Sequence, residues 1–105
     1  MILRTDNYIN DKTGDEVGSI TPIFDDAGQP ILMAAPVGFR GSITIGMKVN
    51  GQPQPCPIHF PIDAKNIVDA FNNFAKFRDL EIEGMKSNAI KQEMAGGPKI
   101  EFFIP

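Results

Sequence analysis

Ser42 and His59, the one histidine of the chain, stand on two segments whose spacing sets them opposite each other if the segments pair as a hairpin. A hydroxyl beside an imidazole is the start of nucleophilic catalysis, because the ring can take the proton as the oxygen attacks. That chemistry also needs a third group to hold the ring in the right tautomer. Between Ala27 and Ile62 there is no acid to act as that group. His59 therefore reads as a solvated or hydrogen-bonded surface histidine, and an enzyme would need an acid brought in from another segment.

The remaining chemically capable residues have ordinary readings as well. Cys56 alternates in step with Ile58 and Phe60, where a thiol packs as a small hydrophobe. Asp11, Asp15, Asp25 and Asp26 are oxygen ligands by type. Their loops lack the spacing of a calcium loop, and turn chemistry accounts for them. Gly96-Gly97-Pro98 is a helix stop before it is a phosphate cradle. No phosphate loop, dinucleotide fingerprint or paired cysteine motif is present, so no cofactor or metal is expected.

Arg40, Ser42, Thr44 and Lys48 share one parity of a strand, with His59 alongside. These residues read either as the wet face of a one-sided sheet or as a binding platform for an anionic partner. The acids are concentrated elsewhere: residues 1–35 carry a net charge of −4, whereas 27–62 hold Arg40 and Lys48 and no acid. Against a nucleic acid stand the overall charge of −3 and the lack of rings on this face of the strand.

These residues depend on the elements that carry them. Gly38 to Val49 alternates cleanly, with Phe39, Ile43, Ile45, Met47 and Val49 on the face opposite the polar row. Asn50-Gly51 follows, a strong signal for a two-residue hairpin turn. Such a turn pairs Val49 with Gln52, Ile45 with Cys56, Ile43 with Ile58, Ser42 with His59 and Phe39 with Ile62. Pro53, Pro55, Pro57 and Pro61 then all fall at positions whose amides would point away from the partner. The second strand is thus expected to be a protected edge.

Upstream, Asp11-Lys12-Thr13-Gly14 reads as a tight turn, and residues 1–16 as loosely ordered. Ser19–Phe24 and Ile31–Ala35, joined across Asp25-Asp26-Ala27-Gly28, read as a second hairpin, interrupted or at an edge where Pro22 falls. Downstream, Asp63 is expected to cap one long amphipathic helix over 63–77, with Ile67, Val68, Phe71 and Phe74 toward the sheet and Phe77 at its margin. Leu80-Glu81-Ile82-Glu83 alternates like a short strand, Ser87 suits a cap for a short second helix over 88–95, and Lys99–Ile104 reads as a last strand.

The chain is accordingly expected to be a single compact α+β domain spanning 1–105, a mainly antiparallel sheet of four to five strands with the long helix on one face. It has no membrane-spanning run and no secretory pattern, so a cytoplasmic location is expected. The favoured function is a non-catalytic accessory or inhibitor-like protein that binds a protein partner or its own copy as a homodimer. Phe77, Phe102, Phe103 and Ile104 are the expected interface, because Phe102 and Phe103 point to opposite faces of a strand. The alternative is a single-stranded nucleic-acid binder using Arg40, Ser42, Thr44 and Lys48. Four antiparallel strands followed by one long helix is similar, in element order alone, to the Whirly type of single-strand binder.

Overall fold

A computed structural model describes residues 1–104. Four strands form an antiparallel meander in the order β1-β2-β3-β4: β1 (Ile2–Ile9), β2 (Glu16–Phe24), β3 (Gly38–Val49) and β4 (Gln52–Ile62). Two helices follow, α1 (Ile67–Asn72) and α2 (Phe74–Met94), and then β5 (Ile100–Phe103). The fold is α+β, as the alternation and turn signals imply.

β3 and β4 pair in the expected register from Val49↔Gln52 through Ser42↔His59 to Phe39↔Ile62. Asn50 and Gly51 both have positive φ, the paired left-handed geometry that a two-residue turn requires. β4 is the last strand of the meander, and all four of its prolines face outward and are exposed. That edge is closed to further pairing, since of its outward amides from 53 to 61 only that of His59 remains. The opposite edge, β1, contains no proline.

The other edge of β3 is shared. β2 covers its first half, Gly38–Ser42, and β5 covers its last half, Gly46–Val49. The sequence could not show this division, because β5 arrives from fifty residues away.

The N-terminal third is more ordered than its composition suggests. Residues 2–9 form β1 and pair with β2 across a turn closed by Asn10 N–H donating to Asp15 C=O (2.9 Å) and Gly14 N–H donating to Asn10 C=O (2.8 Å). The expected second hairpin is only begun. Asp25 closes its tip by accepting from the Ala27 and Gln29 amides, and Phe24 bridges Pro30, but Leu32–Val37 leaves the sheet as an exposed loop. Beyond the Phe24↔Pro30 bridge only Ile31 N–H, donating to Ile23 C=O (2.9 Å), continues the pairing; from Leu32 the chain turns away, and Val37 rejoins the edge by donating to Ile20 C=O (2.8 Å). Pro22 lies just beyond the last β2–β3 pair, Ile20↔Gly38, where its missing N–H interrupts nothing.

The helical part is partitioned differently from the expected 63–77 and 88–95. Asn66, not Asp63, caps α1: its side chain accepts from Asp69 N–H (2.9 Å), while Asp69 accepts from the Lys65 amide (3.0 Å). The helix breaks at Asn73, whose side chain donates to the Asp63 carbonyl (3.0 Å). The expected strand at 80–83 and cap at Ser87 lie inside α2. On a strand Leu80 and Ile82 would share a face; here Ile82 is buried with Phe74 and Ala89 at helical spacing, and Leu80 faces out.

Both helices cover one sheet face. Val17, Phe39, Ile45, Ile58, Phe60 and Ile62 meet Ala70, Phe74 and Ile82 in a single core, with Cys56, Phe71, Phe77 and Phe102 packed at its rim. Phe60 and Phe74 meet edge to face with centroids 5.1 Å apart, an arrangement that contributes about 0.5–1.5 kcal/mol beyond burial. The Phe60 ring lies directly over Gly41, where any side chain would occupy its place. The other sheet face carries no helix.

Candidate functional site

The bare face displays the polar row. Register sets Glu16 (β2), Ser42 (β3) and His59 (β4) side by side across three strands. Ser42 Oγ and His59 Nδ1 are 2.7 Å apart, within reach for proton transfer. They line a shallow depression of about 380 Å³ with Gly14, Glu16, Ile43, Thr44 and Pro57.

Glu16 is the acid from another segment that the sequence left unplaced. Only tertiary pairing reveals it, because twenty-five residues separate it from Ser42. Its strand, however, adjoins Ser42 on the side away from His59. Among the described residues no carboxylate hydrogen-bonds the imidazole, so nothing holds the ring as a catalytic triad would. The arrangement can hydrogen-bond a ligand through the exposed His59 ring, and Ser42 is the group that orients it.

Arg40, Thr44 and Lys48 occupy the same face and are exposed. Arg40 lies between Gly18 and Pro61, and Lys48 between Pro53 and Glu101. Eight strand residues separate the two cations, about 27 Å at roughly 3.4 Å per residue. That is several times the Debye length of about 8 Å at physiological salt, so their fields do not add. The row that is free of acids in sequence is also flanked in space by Glu16 and Glu101.

The four candidate interface residues separate. Phe102 points inward opposite Met47 and packs on the core rim. Phe77 is half-buried there too, with Lys76 Nζ 5.4 Å from its ring centroid. Phe103 turns to the outer face, where its ring covers the bare backbone of Gly46 and Lys48 Nζ stands 6.0 Å from its centroid. Ile104 is exposed beyond the strand. The outer face therefore does hold one ring, supplied by β5 and invisible in the β3 sequence.

Among the described residues no cluster of His, Cys, Asp or Glu could hold a metal ion, and no helix is long and apolar enough to cross a membrane. Asp25 is occupied with its own turn. Compared with protein-family models, curated proteins and solved structures, the chain matches none.

Proposed function

We propose that this protein is a non-catalytic binding module that acts by docking onto a protein, a second copy of itself included. The observation that carries this is surface. The chain exposes 7194 Å², whereas a folded monomer of 11.5 kDa is expected to expose about 5,800 Å². The surplus, about 1,400 Å², exceeds the roughly 800 Å² that one partner contributes to an ordinary specific interface. It arises because one sheet face is bare and because apolar side chains that would normally seek cover remain outside. Ile9, Leu32, Met33, Ile90 and Met94 are all more than half exposed.

The experiment is molar mass in solution, by light scattering over a concentration series, alongside affinity capture of partners. A mass that rises toward twice the monomer, or a reproducible stoichiometric partner, is expected. A monomer at every concentration together with an empty capture refutes the proposal.

A second reading is favoured by one contact, the Phe103 ring beside Lys48 on the exposed face, which combines a stacking surface with a cation as single-strand binders do. It is tested by fluorescence anisotropy of a labelled single-stranded DNA at two salt concentrations. Saturable binding that is lost in the Arg40→Ala, Lys48→Ala double variant supports it; a flat curve removes it.

A further inference from the structure

The four-strand meander has two edges of opposite character, and the difference identifies a docking seam. β4 is sealed by its four prolines, while β1 offers eight residues with no proline and no bulge of its own; the extra residue at the Ile2/Leu3 irregularity, Ile23, belongs to β2. Which β1 amides are free follows from two bonds. Asn10 N–H donates to Asp15 C=O, and Ile20 C=O accepts from Val37 on the far side of β2. Alternation along an antiparallel pair then turns the amides of Arg4, Asp6 and Tyr8 toward β2, and those of Leu3, Thr5, Asn7 and Ile9 outward.

We infer that β1 pairs antiparallel with β1 of a second copy, about a two-fold axis at Thr5, joining two sheets into one. This rests on the binding reading above and names its partner. Outward groups must meet outward groups, so odd residues pair with odd ones and only a few registers are open. With Thr5 opposite Thr5, Arg4 faces Asp6 twice and Ile2 faces Tyr8 twice. One step to either side sets Arg4 against Arg4 or Asp6 against Asp6, and like charges directly opposite destabilise a pair. The side chains concerned are free to meet: Arg4 and Asp6 are both partly exposed and already bridge within one chain (3.0 Å), and Ile2 and Tyr8 are exposed. A self-complementary patch is what two-fold association requires.

The test uses the full chain. Thr5→Pro removes an outward amide and nothing from the β1–β2 ladder, the same device that β4 carries four times. Its circular dichroism should match the parent, while dimer dissociation should rise at least roughly thirtyfold, because two hydrogen bonds to the partner are lost. Arg4→Asp or Asp6→Arg alone should weaken the dimer about tenfold or more, and the two together should restore it, because opposite charges again face each other. A dimer that survives Thr5→Pro with native spectra leaves self-association standing and removes β1 as its seat. A double reversal no better than the single ones overturns the register. A monomer at every concentration overturns the inference outright, and capture of a different protein would still leave the binding reading intact.

Discussion

Gly41 and Gly46 lie on the same strand, and each is covered by a phenylalanine ring, yet adding one methyl to each should have different consequences. At Gly41 a Cβ would fall about an ångström inside the roughly 3.5–4.0 Å of carbon–carbon contact with the Phe60 ring. It would also stand 3.1 Å from Ile62 Cδ1. Phe60 is 1% exposed and held edge to face by Phe74, so the ring has nowhere to go without moving the helix. Overpacking of this kind costs about 1–3 kcal/mol, with the upper half of that range expected for a ring blocked on both sides. In a domain of this size 2–3 kcal/mol corresponds to a fall in Tm of roughly 10–20 °C. At Gly46 the overlap with Phe103 is just as severe, but that ring is 42% exposed on a terminal strand and can swing into solvent. The loss of its contacts is offset by the lower chain entropy of alanine in the unfolded state, about 0.4–1 kcal/mol. Gly46→Ala should therefore stay within about 1 kcal/mol of the parent. Urea and thermal denaturation at one protein concentration, followed by circular dichroism, read both variants. Equal destabilisation, or a neutral Gly41→Ala, would show that burial of the covering ring does not decide the outcome.

Two further predictions concern an end and an edge. Asn66→Ala removes the side chain that caps α1 and should lower stability by about 1 kcal/mol, whereas Asp63→Ala, at the expected cap, should change it by only a few tenths, as denaturant titration would register. Replacing Pro53, Pro55 and Pro57 together by valine restores outward amides on β4 and should make the protein aggregate more readily than the parent as concentration rises, read by light scattering; scattering equal to the parent's would mean that the prolines are not what closes that edge.

Local signals along the chain were enough to set its strongest unit. Asn50-Gly51 can hardly avoid a tight turn, and once it forms, parity alone fixes every β3–β4 pair, the outward prolines and the contact between Ser42 and His59. Capping and periodicity were less decisive further on, because Asp63 and Asn66 are both competent caps and Leu80–Glu83 satisfies the strand pattern as well as the helical one. Which reading prevails depends on what the side chains meet, and Ile82 meets the core only as part of a helix. That β2 and β5 divide one edge of β3 emerges only once the whole chain is folded. That single arrangement brings Glu16 beside Ser42, and Glu101 and Phe103 beside Lys48. It also settled the fate of residues 31–35, where pairing stops at Ile31 and the chain turns away before Val37 rejoins β2 at Ile20. The physical reason is the same throughout: backbone pairing at a turn is local and is written in parity, whereas the choice between distant strands for one edge is a competition among the whole chain's apolar contacts, and no short stretch of sequence records who wins it.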